Sequence, residues 1–151
     1  CTEIEQRLLN IKDEMDAFII MDLDNFKTVN DCLGHSQGDE LLQKIAKTLE
    51  ENFRKTDIIA RLGGDEFIIY MKDIKSKKAV VNAVEKLLSK LQLKYRWKNG
   101  SIQVSASVGV AIVPFDGMRF EDLYIKSDKA LYNSKRQGKN GYSFFMANPD
   151  F

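Results

Sequence analysis

Histidine occurs once in these 151 residues, and cysteine and proline occur twice each. Cys1 and Cys32 supply neither a disulfide framework nor the paired spacing of a zinc site, which argues against a bridge-stapled secreted scaffold and makes a reducing, cytosolic setting the expectation. No apolar run reaches the length of a transmembrane helix. The net charge is only +1, so no broad basic field exists for nonspecific attachment to DNA, RNA or membrane, and any anion must be held by a local arrangement of groups. His35 falls between two helical patterns and reads as a turn-stabilising hydrogen-bond partner rather than a catalyst. Internal repeats and low-complexity stretches are also missing. The chain opens at Cys1 with neither an initiator methionine nor a signal-like segment, and we therefore expect a fragment of a longer protein.

What remains is an ordinary globular composition, 44% hydrophobic and 30% charged, enough for one substantial core and one domain over residues 1–151. The patterning predicts a helix over 3–14, a buried strand over 17–22, a short helix over 25–32, a loop over 34–38 and a longer helix over 39–53. In that longer helix Leu41, Leu42, Ile45, Leu49 and Phe53 recur at helical spacing, and this stripe is core. A hairpin follows from 57–62 and 67–71, then a helix over 80–91. A second hairpin turns at Asn99-Gly100 into a long strand over 102–113, where Pro114 stops the pairing. A helix over 119–135 and a last strand over 142–146 complete the chain. This order predicts an α+β fold with a central, mostly antiparallel sheet flanked by helices.

Two acidic motifs interrupt these apolar runs. Gly63-Gly64-Asp65-Glu66-Phe67 forms the tip of the first hairpin, where the glycines permit unusual backbone angles and close approach of a ligand; taken alone, it is better read as a solvated Gly-Asp turn. The buried run ending at Met21 leads into Asp22-Leu23-Asp24-Asn25-Phe26-Lys27. Asp24 or Asn25 can cap the helix that follows, which leaves Asp22 without a structural reason. If the two apolar segments are neighbouring strands, Asp22 converges with Asp65 and Glu66, and that density of hard oxygen ligands suits Mg²⁺ carrying a phosphate.

These segments resemble the GGDEF-domain diguanylate cyclases. The resemblance runs through Asp22 to Lys27, Asn30-Asp31, Gly34-His35, Gly38-Asp39, the signature at Gly63 to Phe67, Ser107-Val108-Gly109-Val110, Asp128-Lys129-Ala130-Leu131-Tyr132 and Gly138-Lys139-Asn140, in order across most of the chain. It implies a palm-like fold and the condensation of two GTP into cyclic di-GMP with release of pyrophosphate. It further implies that Asp22, Asp65 and the main-chain carbonyl of Leu23 bind two Mg²⁺ ions, with Mn²⁺ able to substitute. Glu66 then either helps to deprotonate the ribose 3′-hydroxyl or serves as a ligand or orienting group. The amides of Asn25, Phe26 and Lys27, with the Lys27 charge, hold the triphosphate at a helix N-terminus. Asn30 and Asp39 read guanine, Asp39 accepting from an edge that adenine lacks, although a polar helix face and a helix cap are their ordinary roles. Lys135 and Lys139 contact the triphosphate, or else complement a helix C-terminus; where the family usually has arginine, Lys139 keeps the charge and loses the bidentate fork.

Arg54-Lys55-Thr56-Asp57 stands at the spacing at which the family carries its product-binding inhibitory site, and as bare sequence it is also a surface ion pair before a strand. The resemblance implies a homodimer, because each GTP must attack the other, and an upstream sensory or transmembrane region on a cytoplasmic bacterial signalling domain. The rival from another class is a noncatalytic module that binds GTP or cyclic di-GMP and regulates a partner protein. Such relatives typically lose signature acids, and here Asp22, Asp65 and Glu66 are all present.

Overall fold

The computed structural model describes residues 2–146, so the outermost ends of the expected domain, with Cys1, lie outside the described residues. Its elements run α1 Thr2–Asn10, β1 Asp16–Asp24, α2 Phe26–Leu33, α3 His35–Asn52, β2 Ile58–Gly63, β3 Glu66–Met71, α4 Lys77–Lys90, β4 Leu93–Trp97, β5 Gly100–Val113, α5 Phe120–Arg136 and β6 Gly141–Phe144. The six strands form one sheet in the order β2-β3-β1-β5-β4, with β6 paired to β5. Every pairing is antiparallel except β5 with β6. The fold is therefore the expected α+β arrangement, and no helix among the described residues is long and apolar enough to cross a membrane.

Strand β1 is central and buried on both faces, which is why it reads as an unbroken apolar run rather than an alternation. Ala17, Ile19, Met21 and Leu23 face the core shared with α2, α3 and α4, whereas Phe18 and Ile20 face the core shared with α1 and α5. Asp22 and Asp24 continue the second alternation and so lie on the α5 side of the sheet. Helix α5 approaches that face so closely that a side chain on Gly109 of β5 would meet the backbone of Ser127 and Leu131.

Strand β6 ends at Phe144 rather than at residue 146, β1 runs on to Asp24 and α4 starts at Lys77, and two boundaries differ more widely from the sequence expectation. Helix α1 ends at Asn10 rather than at Glu14, because Lys12 N–H donates to the Glu14 carboxylate at 2.8 Å and closes a local turn in competition with the helix. The loop expected over 34–38 is largely helix: Gly34, at φ 90°, separates α2 from α3, and α3 starts at His35. Asp39 therefore sits inside α3 and is not its cap. Gly38 is tolerated in the helix because the Asn30 side chain fills the space above it; a Cβ there would lie 1.8 Å from Asn30 Oδ1.

At the opposite end of β1, Asp16 is fully buried and accepts from Arg7 Nε at 2.7 Å, Tyr70 hydroxyl at 2.7 Å and Asp73 N–H at 2.8 Å. Burial acts to raise this carboxyl, and Arg7, Asp73 N–H and Tyr70 together outweigh it and hold the group below its ordinary range. Replacing Arg7 with methionine strands the charge and is expected to cost about 3 kcal/mol in urea unfolding at neutral pH. Because the folded-state value is depressed, Asp16 contributes stability above the unfolded value, about 4, and loses it as pH falls through the folded one. The difference between wild type and Arg7→Met should accordingly shrink in acid.

Candidate active site at the end of the central strand

The site is built where β1 meets the β2–β3 turn. Gly63, at φ 141°, and Gly64, at φ 52°, adopt angles that favour glycine, and Arg61 braces the turn by donating through Nε and Nη2 to Gly64 carbonyl at 3.0 and 2.8 Å. Leu23 N–H donates to Asp65 carbonyl at 3.3 Å, which ties the turn to β1. Asp22 stands directly across from Glu66 in the β1–β3 register. The turn thus brings Asp65 beside Asp22: burial, followed by the adjacent Asp22 charge, pushes the Asp65 carboxyl up to about 6, and Lys135 pulls it the other way.

Lys135 crosses from the end of α5 and places Nζ 2.5 Å from Asp22 Oδ2. The other carboxylate oxygen, Asp22 Oδ1, is buried and has no hydrogen-bond donor among the described residues. A buried anionic oxygen without a donor is costly, and a hard divalent cation is a partner that would satisfy it. The residues therefore fit Mg²⁺, with Asp22, Asp65 and the Leu23 carbonyl available as oxygen ligands. Glu66 lies directly across from Asp22 in the register, and its Oε1 accepts from the Tyr124 hydroxyl at 2.8 Å; among the described residues no three acidic, histidine or cysteine side chains gather into one metal-holding group.

Beside the acids, α2 begins with Asn25 at φ 68°, and neither Asp24 nor Asn25 caps it. Asn25 Nδ2 donates to Gln103 carbonyl at 2.8 Å, while Asp24, which is buried, accepts from Ser105, Ser107 and the Asn140 N–H at 2.7, 2.8 and 3.0 Å. The N–H groups of the first turn, from Phe26 onward, are left without a side-chain cap and are suited to an anion. Phe26 is packed into the core and Lys27 is exposed, so within the motif Phe26 anchors the helix and Lys27 offers the charge. Asp24 also locates the segment holding Lys139, which is exposed at φ 63° next to Asn140.

The Asn30 side chain lies against Gly38, the residue before Asp39 in α3. Asp39 is exposed and lines a cavity of about 390 Å³ with Leu42, Ile59, Arg61 and Phe67, between α3 and the hairpin. A larger cavity of about 780 Å³ between α5 and β6 contains none of the site acids. Arg54 and Asp57 lie apart from all of these, at the end of β2 remote from the turn. Asp57, with a side chain 1% exposed, accepts from Arg54 N–H at 3.0 Å and Lys72 N–H at 3.1 Å, and the Arg54 guanidinium, 54% exposed, pairs with it at 3.1 Å. Arg61, Ser105 and Tyr124 were not singled out by the sequence, and Ser107 stood in a family motif without a role at the site. Only Arg61 carried a local signal, three residues before the carbonyl it binds; the other three act across 58 to 83 residues.

A six-stranded sheet with two acids at the end of its central strand, beside an uncapped helix N-terminus, defines an α+β domain of the palm type. The chain belongs to the GGDEF family: the family model for the diguanylate cyclase GGDEF domain matches residues 2–141. The bifunctional diguanylate cyclase/cyclic di-GMP phosphodiesterase MucR of Pseudomonas aeruginosa is 43% identical over 129 residues, which cover 85% of this chain. Diguanylate cyclase DosC of Escherichia coli K12 is 37% identical over 134 residues, 87% of this chain. The chain spans only 19% and 28% of the lengths of those two proteins. Among solved structures, the isolated GGDEF domain of TpbB (YfiN) from P. aeruginosa is similar with a TM-score of 0.88 at 29% identity, covering 97% of this chain and 87% of that one.

Proposed function

We propose that this domain, residues 1–151, condenses two GTP into cyclic di-GMP and two pyrophosphates, as a homodimer in which each protomer holds one GTP. The observation that carries this reading is the juxtaposition of Asp22 and Asp65 with one Asp22 oxygen left unpartnered, beside the uncapped start of α2. Asp22, Asp65 and the Leu23 carbonyl would hold two Mg²⁺, or Mn²⁺ in their place. When bound, these ions offset phosphate charge and polarise the attacked α-phosphorus.

The chain's own groups do the rest. The N–H groups at Asn25, Phe26 and Lys27 and the charges of Lys27, Lys135 and Lys139 hold the triphosphate, and the present pairing of Lys135 with Asp22 marks a cation that phosphate would share. Asn30 and Asp39 bind the guanine edge, which selects GTP over ATP. Glu66 orients the ribose 3′-hydroxyl or receives its proton as that oxygen attacks the α-phosphorus of the other GTP and pyrophosphate leaves. One protomer presents half of this centre, so the rate should fall faster than enzyme concentration on dilution. In the full-length protein an upstream sensory or membrane-attached region would control that encounter on the cytoplasmic side.

The test is chromatographic analysis of products after concentrated protein is incubated with Mg²⁺ and GTP or ATP. Cyclic di-GMP from GTP alone is expected; binding of GTP without product, even in an enforced dimer, would instead indicate a regulatory binding module. Product inhibition is assigned to Arg54, whose guanidinium is exposed enough to fork onto a phosphate of cyclic di-GMP. In Arg54→Ala the buried Asp57 keeps its two main-chain donors, and the half-inhibitory concentration of cyclic di-GMP is expected to rise by about tenfold or more. An unchanged value would remove Arg54 from the inhibitory site.

A further inference from the structure

Past Asp24 the α5 side of the sheet lies open, and what stands there is basic. Alternation along β5 puts Val104, Ala106 and Val108 in the core shared with α2, α3 and α4, so Ser101, Gln103, Ser105 and Ser107 lie on the α5 side. Lys94 of β4 stands across from Gln103 and Arg96 across from Ser101, which places both cations on that same side, and all four of these residues are exposed. Asp24 is across from Ser105, and Asp22 from Ser107. Successive rows along the sheet therefore carry Asp22 with Lys135, Asp24 with the Asn140 N–H next to Lys139, then Lys94, then Arg96. Neighbouring rows of one face are about 7 Å apart.

This basic ledge adjoins the uncapped start of α2. Asn25 Nδ2 donates to the Gln103 carbonyl at 2.8 Å, so the first turn of α2 and the row of Lys94 are tied directly together. Neither β4 nor β5 contains a carboxylate, and neither Lys94 nor Arg96 forms an ion pair with another described residue. Two unneutralised cations beside free main-chain N–H groups favour an anion that carries several charges. We propose that Lys94, with Arg96 behind it, is a further phosphate-binding residue, and that the β4–β5 hairpin takes the terminal phosphates of GTP, the part that leaves as pyrophosphate. The inference rests on the cyclase reading for the identity of the nucleotide, while the placement stands on register and exposure. Lys94 lies two rows, about 14 Å, along the sheet from Asp22, so it serves the tail of a triphosphate whose α-phosphorus is held at the acidic pair. Cyclic di-GMP has no terminal phosphates, and the ledge thereby separates substrate from product.

The experiment is calorimetric titration with inorganic pyrophosphate, GTP and GMP in Mg²⁺, using wild type, Lys94→Gln, Lys94→Arg and Lys90→Gln. Lys90 is exposed at the end of α4, on the other side of the sheet, and its substitution removes the same charge away from the ledge. Lys94→Gln should weaken pyrophosphate and GTP about fivefold, the size of one partly screened charge-assisted contact, and leave GMP unchanged. Lys94→Arg and Lys90→Gln should stay within about twofold of wild type, because arginine keeps the charge and Lys90 lies elsewhere. In 0.5 M NaCl, where the screening length is about 4 Å, the fivefold loss should shrink. The proposal is overturned if Lys94→Gln weakens pyrophosphate no more than Lys90→Gln does, if GMP is weakened equally, or if wild type binds no pyrophosphate. The first of these results would leave Lys94 and Arg96 as charges that merely protect a sheet edge from pairing. A wild type that makes no cyclic di-GMP, yet loses pyrophosphate affinity through Lys94→Gln alone, would sink the cyclase reading and keep the ledge.

Discussion

Asp65→Asn is expected to lower cyclic di-GMP synthesis by about 10³-fold while making the metal-free protein more stable. The loss follows from removing one of two carboxylates that hold the cation, where charge stabilisation of the transition state is worth several kcal/mol, and about 4 kcal/mol corresponds to a thousandfold in rate. The gain follows from the same geometry. Asp65 and Asp22 are adjacent, Lys135 neutralises only one side of Asp22, and Asp22 Oδ1 has no donor, so in the absence of a cation the pair is an electrostatic liability. A carboxyl raised to about 6 in the folded chain destabilises it wherever the group is ionised in both states, that is, above about 6. Below its unfolded value, about 4, the penalty is absent. Partial exposure screens the effect, and about 1 kcal/mol is a reasonable size for it, equivalent to roughly 3 °C in Tm at pH 7.5 and vanishing near pH 4. Calorimetry of the metal-free proteins across that range, paired with product analysis, checks both signs. A variant that loses activity and stability together would mean that Asp65 holds the turn rather than a metal.

Gly109→Ala is expected to have the largest effect on folding. Gly109 lies in mid-sheet, opposite Ile20 of β1 and Ser143 of β6. A Cβ there would lie 2.0 Å from Ser127 carbonyl oxygen and 2.3 Å from Leu131 N, both backbone atoms of α5 that cannot rotate away. Relief requires the helix to withdraw by about 1 Å or more, given ordinary contact distances near 3.5 Å. That movement opens the packing of Leu123, Ala130 and Leu131 and stretches the bond from Ser134 hydroxyl to Val108 carbonyl, now 2.7 Å. We expect a loss of about 3 kcal/mol or more, seen as a fall of roughly 10 °C in Tm. The folded fraction should also turn over GTP more slowly, because α5 carries Lys135 to Asp22 and Tyr124 to Glu66. A Tm within about 2 °C of wild type would show that α5 tolerates the shift, and the close approach would then not be what positions the site.

The sequence by itself determined the local features of this protein. The unbroken apolar run of β1, the helical stripe of α3, the Gly-Gly turn between two β-branched segments and the ordered motifs of the GGDEF family are all readable within windows of a few residues, because periodicity and turn chemistry are local properties. The positions of Asp22 and Asp65 at strand ends were legible for the same reason. Tertiary structure decided which groups meet. Lys135 reaches Asp22 across 113 residues and Asn140 reaches Asp24 across 116, contacts set by the β3-β1-β5 order and by α5 lying across it. It also decided that Glu66, standing across from Asp22, accepts from Tyr124 of α5, that Asp24 is a buried anchor rather than a cap, and that Gly38 continues a helix because Asn30 fills its place. A residue's propensity describes its own backbone, whereas its partner is supplied by whichever element packs over it, and that choice is made by the whole core at once.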